Sequence, residues 1–432
     1  MKKLSKFILS IIIILGLSGN AQTNFLMKSW QQQVKPIDTK YVSLSFRENR
    51  NELGHSFYPW QQTSYQSEGQ IWSSSNEFGK LDTLKTLQGD YTSKMLLKKD
   101  QMLFLEFGGK DLFKVTNQMF EDHNFKIARY LPTRILNYFT LKKIKIDNES
   151  NEQFAIYKTV INKTIVKLYI DKSNNLLTKI TTLNDDELFG DVLTTYTYSN
   201  YIKIKNLSLA LDIEIKKIDG KIFDQVHLSN ATITDILPNL LERPTDYKLE
   251  DEVLPKLELK SEKYNDNIFF IELKHTDDRV LVVEFLDFLL VAEAPLNSEN
   301  GELIIKEAQK IAPNKPIKYF VFGHYHPHYL GGVRPFVHKG AKIISSKQDQ
   351  EYVSYIVKAK HTINPDSLEI QPKPLIFEEI KDSLTISDNR TEMKIFFIGK
   401  KSEHTNDYLI YYFPKEKLLF QDDLVWIPKE GE

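Results

Sequence analysis

Three histidines occupy alternate positions in Phe-Val-Phe-Gly-His-Tyr-His-Pro-His-Tyr-Leu-Gly-Gly, residues 320 to 332, of a chain with 10 histidines among 432 residues. Imidazole binds divalent metals, and alternate spacing on a loop lets two rings, such as those of His324 and His326, point to one side. Both can then reach one ion at about 2.0–2.1 Å. His328 continues the row. The apolar run just before it, "IKYFVF", predicts a short buried strand, and open α/β sheets place their sites beyond the carboxyl ends of such strands. Gly331-Gly332 lets the backbone turn tightly beside the rings. The bland alternative is a polar surface loop in which histidines cluster.

The chain has no cysteine. Disulfides, thiolate ligands and cysteine nucleophiles are therefore excluded, and any metal must be held by His, Asp, Glu or Tyr. A formal net charge of -1 gives no electrostatic reason to expect nucleic acid or an anionic membrane as partner. The start, "MKKLSKFILSIIIILGLSGNAQ", has a basic head, an apolar run from Phe7 to Leu17 and small residues at Gly19 and Ala21. It predicts a signal peptide over 1–21, and hence a periplasmic or secreted protein with no stable membrane insertion after cleavage.

The elements that must position the histidines fall into two groups. Residues 25–245 read as an antiparallel β domain. "TIVKLYIDKSNNLLTKITTL" is a hairpin with its turn at Lys172 to Asn175, and "VLTTYTYSNYIKIKNLSLALDIEIKKIDGKIFDQVHL" continues the meander with a tight turn at Asp219-Gly220. Part of it, about 155–235, is similar to the curved sheets of periplasmic lipoprotein-carrier proteins. A polar, proline-containing linker is expected over 246–261. Beyond it the pattern alternates: two apolar strands around Leu286-Asp287, a helix capped at Asn297 or Ser298, the strand before the histidines, a short helical stretch, the strand "AKIIS" and the helix "KQDQEYVSYIVKAK". That is an α/β order.

"FGHYHPHYLGG" resembles the His-x-His-x-Asp-His signature of the metallo-β-lactamase superfamily, over about residues 262–425. "VLVVEFLDFLLVAEAPLN" looks like the family's opening strands, with Glu293-Ala294-Pro295 where many members carry Asp-x-Gly. "FFIGKKSEHTNDYLIYYFPKEKLLFQDDL" looks like its later cassette. The resemblance implies an αββα metallo-hydrolase domain over 262–432, lacking the family's last strand–helix unit. It implies a first metal on His324, His326 and His404, and a bridging carboxylate at Asp423, with Asp422 adjacent and competing. Two positions depart from the pattern: His328 stands where the family has Asp, and Tyr329 where it has a second-metal histidine.

Three neutral imidazoles and a water make hydroxide available near neutral pH. The expected function is therefore hydrolysis of an ester, amide, lactam or phosphoester, with zinc as cofactor, expected as one ion because the second site lacks ligands, and His328 and Asp423 as catalytic residues. The rival is a binding protein whose hydrolase fold is a relic and whose β domain holds a lipid or other apolar ligand. His55, His123, His227, His275, His338 and His361 read as isolated surface or satisfied residues.

Overall fold

A computed structural model describes residues 25–86, 89–98, 101–105, 111–114, 125–141, 147–238, 245, 248–251 and 256–425. The expected signal peptide and His123 lie outside these residues. The described chain is mostly β and forms two units: residues up to 51, 64–184 and 193–253 in the first, and 52–63, 185–192 and 254–432 in the second. No helix among the described residues is long and apolar enough to cross a membrane.

The first unit is built on a 14-stranded sheet. In the predicted hairpin, Thr164–Asp171 pairs antiparallel with Leu177–Asp186, Ile165 opposite Leu183 and Tyr169 opposite Lys179. Period-two alternation decides which face is dry: Val166, Leu168 and Ile170 are fully buried, and the residues between them are not. The helix Thr133–Leu141 adds Ile135, Leu136 and Phe139 to that core. At the Asp219-Gly220 turn, Ile218, Asp219 and Gly220 all have positive φ.

The division between the units, at 253/254, falls inside the expected linker, and two details differ from expectation. The segment read as a linker contains the strand Lys248–Asp251, paired parallel with Asp111–Lys114, and the strand Leu259–Lys263, paired with Ile268–Leu273. Edge strands can be polar because one side of their ladder carries no partner, so composition hid them. The segments 52–63 and 185–192 fall within the expected amino-terminal β domain, yet they pack with the second unit. Asp191 shows why. Its backbone N–H donates to the Lys360 carbonyl at 2.6 Å, and its carboxylate accepts from the Thr362 N–H and hydroxyl and from the Ile363 N–H.

The second unit has a seven-stranded and a four-stranded sheet. The seven-stranded one is mixed: Leu259–Lys263, Ile268–Leu273, Asp278–Glu284 and Leu289–Ala292 run antiparallel, then Ile317–Val321, Lys342–Ser346 and Ile376–Ile380 continue in parallel. The four-stranded one is the meander Ser383–Ser387, Glu392–Phe397, Leu409–Phe413 and Leu418–Phe420. Leu281, Val283, Leu290, Val321 and Ile344 of the first sheet share one core with Met393, Ile395, Leu409, Tyr411 and Phe413 of the second. The helix Ser298–Ile311 begins at Asn297, whose side chain accepts from the Asn300 N–H. The second helical layer of an αββα sandwich is not found among the described residues.

Arg334, 2% exposed, ties this unit together. It forks onto Asp366 through Nε at 2.6 Å and Nη2 at 3.0 Å, and Nη1 donates to the carbonyls of Ile356, Val357 and Ala359. Burial alone would raise the Asp366 carboxyl, but hydrogen bonds from Arg334 and the Glu369 N–H hold it at about 2. A depressed carboxyl contributes stability that is present above its unfolded value near 3.9 and lost as pH falls through its folded value. Between pH 4 and pH 2 the protein should therefore lose about 2 kcal/mol from this group. Urea unfolding at several pH values checks it. Asp366→Asn should start less stable at pH 6 and fall less on acidification; parallel pH profiles for the two proteins would contradict the assignment.

Candidate metal centre

The strand Ile317–Val321 delivers the chain to the site, a bent loop follows over 323–326, and His326 itself is extended at φ -61 and ψ 147. Across this loop the rings of His324 and His326 turn toward each other. Pro327 then opens a helical turn, Pro327–Leu330, which suits a proline at a first helical position. The turn breaks the alternation and takes His328 elsewhere. Its Nδ1 lies 3.3 Å from Asp278 Oδ1, and the hydrogen bond to Asp278 raises its pKa above the ordinary value.

The third imidazole arrives from the cassette near the carboxyl end. After the short turn Gly399–Lys401, the Ser402 hydroxyl accepts from the N–H groups of His404 and Thr405. Gly399 has φ +47, and a Cβ there would meet the Phe397 ring at 2.7 Å, so this turn requires glycine. Asp423 follows the strand Leu418–Phe420. Its N–H donates to the Tyr408 hydroxyl at 3.0 Å, and that hydroxyl donates to its Oδ1 at 3.2 Å.

These pieces bring ligand atoms of His324, His326, His404 and Asp423 within 4.8 Å of one another. His324 Nε2 is 3.0 Å from His326 Nδ1. His326 Nδ1 is 3.2 Å from His404 Nε2. Asp423 lies 3.1 Å from His404 Nε2 and 3.8 Å from His324 Nε2. Donors at about 2.0–2.1 Å from a tetrahedral zinc ion would be spaced about 3.3 Å apart, the edge of that tetrahedron. The observed spacings bracket that edge.

The proton pattern fits a cation as well. His324 Nδ1 faces Asp422 Oδ2 at 3.2 Å, and His326 Nε2 faces the Ser56 carbonyl at 3.1 Å. Each of these ring nitrogens has an acceptor and so carries the proton, which fixes the tautomer. Bare lone pairs on His324 Nε2 and His326 Nδ1 are then turned toward each other. Burial keeps both rings neutral, with pKa values lowered to about 4 for His324 and about 3 for His326. Burial acts to raise Asp423, but the hydrogen bond with His404, the nearby His324 and His404 rings and the Tyr408 hydroxyl together outweigh it and hold the carboxyl well below the usual range. The same hydrogen bond raises His404.

Behind His324 stands a buried pair of carboxylates. Glu293, at φ +75, accepts from the Gly323 N–H at 3.1 and 3.2 Å and from the Tyr411 hydroxyl at 2.8 Å. Burial, then the charge of Asp422, pushes Glu293 well above its ordinary value. Burial, then Asp423, does the same to Asp422. Such a pair is held together by a shared proton. Asp407 fixes the histidine loop from another side, accepting from the Tyr325 N–H at 2.7 Å.

The chain's own order thus brings together His324, His326, His404 and Asp423. It leaves His328 at the edge, and it gives the competing Asp422 to His324 as a hydrogen-bond partner. Tyr329 packs its ring 4.2 Å from that of His324. His55 is the histidine misread as isolated. It comes from the segment 52–63, and its ring lies 5.0 Å from that of His326 and 6.1 Å from that of His328. No spacing signal links residues 270 positions apart, so nothing in the sequence marked it. The other described histidines have local partners: His227 pairs with Asp212 at 2.6 Å, His275 meets Asn300 at 2.8 Å, and His338 meets the Gln371 carbonyl at 3.2 Å. His361 is buried beside Gly190.

No protein-family profile matches the chain, and no curated protein matches it. Among solved structures, a metallo-β-lactamase from Pontibacter korlensis is 17% identical over 38% of this chain and 71% of its own, with a TM-score of 0.30. A putative outer membrane lipoprotein-sorting protein domain from Vibrio parahaemolyticus is 8% identical over 50% and 94%, with a TM-score of 0.36. A LolA superfamily protein from Nitrosomonas europaea is 15% identical over 52% and 97%, with a TM-score of 0.34. Each is a weak structural resemblance, and the chemistry of the site rests on its own side chains.

Proposed function

We propose that the chain is an exported metal-dependent hydrolase with an amino-terminal antiparallel β domain and a metallo-β-lactamase-like domain, acting on an ester, amide, lactam or phosphoester. The observation that carries this reading is the convergence of three imidazole nitrogens and one carboxylate at tetrahedral-edge spacing. His324 Nε2, His326 Nδ1, His404 Nε2 and an Asp423 oxygen would hold one zinc ion. An ion in such a site supplies Lewis acidity and an activated water at neutral pH. The protein's own groups do the rest. His324 and His326 are shut off from solvent, while His404 and Asp423 are 37% and 42% exposed in their side chains, so substrate approaches from their side. Asp423, held by Tyr408 at Oδ1 and by His404 at Oδ2, would set the direction of the activated water beside it. His328, 40% exposed and held by Asp278, stands at the rim to take up or release a proton.

One observation favours the binding-protein rival. Asp423 is a fourth donor, and four protein donors close a tetrahedron, which is the habit of structural zinc. Its apolar-ligand element has less support, because one groove of the first unit is lined by charged groups, among them Arg47, Glu68, Lys85, Asp212 and His227. The two readings separate by assay. Metal content is measured on purified protein, and hydrolysis of chromogenic esters, amides, lactams and phosphoesters is followed before chelation, after it and after zinc is restored. Zinc-dependent turnover of one class supports the enzyme. Tightly held zinc with no turnover of any class sinks it in favour of the rival.

A further inference from the structure

The metal centre draws on a piece of chain far from the histidine loop. Within the second unit, residues 54–57 lie directly on that loop. The Tyr325 hydroxyl donates to the Ser56 carbonyl at 2.5 Å and accepts from the Ser56 N–H at 3.0 Å. The same carbonyl faces His326 Nε2 at 3.1 Å. The next carbonyl, of Phe57, accepts from the Asn406 N–H at 3.0 Å, two residues beyond His404. Gly54 runs against Pro327, 3.7 Å from where its Cβ would stand. Ser56 is buried and Tyr325 is 1% exposed, so these bonds form away from competing water.

A ligating imidazole needs its second nitrogen anchored, because that hydrogen bond selects the tautomer and fixes the ring plane. For His324 the anchor is the Asp422 carboxylate, from the cassette that also carries Asp423. For His326 it is a backbone carbonyl supplied by residue 56, and a carbonyl keeps its place only if its own peptide is held. Tyr325 holds residue 56 on both sides, donating to its carbonyl and accepting from its N–H, so the peptides before and after it are both fixed. We propose that Ser56 and Tyr325 form a latch in which the Ser56 carbonyl keeps His326 in the Nε2–H tautomer with Nδ1 free for the metal, and Tyr325 is the positioning residue that locks that carbonyl. This rests on the metal-centre reading above, and it makes the centre dependent on residues 54–57 being docked. A displaced or cleaved segment leaves His326 free to turn, and the site loses a ligand without any change to the ligands themselves.

Two measurements decide it. Nitrogen-15 imidazole spectra of the metal-free full-length chain read the His326 tautomer directly, with the Nε2–H form expected; the Nδ1–H form overturns the latch whether or not the protein binds metal. The second is Tyr325→Phe, which deletes one oxygen and keeps the ring. Cobalt and zinc affinities should fall roughly 10–100-fold, and the visible spectrum of the cobalt-saturated variant should shift, while melting of the metal-free protein shows the fold intact. Wild-type affinity and an unchanged cobalt spectrum overturn it. A wild-type chain that binds neither metal instead defeats the metal-centre reading, and the tautomer measurement still judges the latch.

Discussion

His404→Ala should leave a folded protein that retains no zinc after dialysis against a weak chelator and shows no zinc-dependent turnover. His404 is one of three nitrogen donors, and its removal leaves two imidazoles and a carboxylate that is itself oriented by the lost ring. Zinc sites that persist through dialysis keep three or four well-placed protein ligands. Asp423 would also lose a hydrogen bond that helps hold its carboxyl low. The fold should survive, because the His404 side chain is more than a third exposed and truncation there opens no cavity. His328→Ala gives the contrasting outcome. Its ring belongs to Asp278 and not to the converging group, so the metal stays and only the rate changes. Zinc content should not exceed one equivalent per chain. Two equivalents in dialysed wild-type protein, or a full equivalent in His404→Ala, would refute the donor assignment.

The sequence made some of this site readable, and the reason is local. His324 and His326 sit two residues apart on one short loop directly after an apolar strand, near enough in sequence for both rings to reach one point. His404 and Asp423 were readable because they sit in a cassette whose strand–turn–strand order is itself a local pattern. His328 shows the limit. Spacing extended the row to it, but Pro327 starts a helical turn, and one backbone rotation sends that ring to Asp278. The charged strand Lys248–Asp251 was hidden for a related reason, since pairing at an edge asks little of its side chains. Ser56 and His55 were invisible in principle. Their place beside His326 depends on contacts between residues about 270 positions apart, and a single sequence carries no periodicity for those. Asp422 and Glu293 stand between these cases: both residues were noticed, but only packing reveals that they face each other behind His324.

Gly323→Ala should both destabilise the fold and weaken the metal site, from a position that touches no metal. A Cβ on Gly323 would fall 1.8 Å from Asp422 Oδ2 and 2.6 Å from its Cγ. A clash with the end of a side chain is cheap where that side chain can swing away. Here it cannot, because the Asp422 side chain is 1% exposed, with Glu293 on one side and His324 Nδ1 at 3.2 Å on the other. The Gly323 backbone is equally fixed. Its N–H donates to both Glu293 oxygens, and its carbonyl accepts from the Leu409 N–H at 2.6 Å. The methyl group must therefore push Asp422 off His324. Overpacking of this kind costs about 1–3 kcal/mol, and an unanchored His324 should weaken metal binding by about 10–100-fold. Urea unfolding and cobalt titration measure the two effects separately. Gly323→Ala combined with Asp422→Ala distinguishes this cause from general strain. With the carboxylate gone the methyl has room, so the pair should be less destabilised than the sum of the single variants, while metal affinity stays low because His324 still lacks its anchor. Additive destabilisation, or wild-type affinity in Gly323→Ala, would show that Asp422 does not hold the ring.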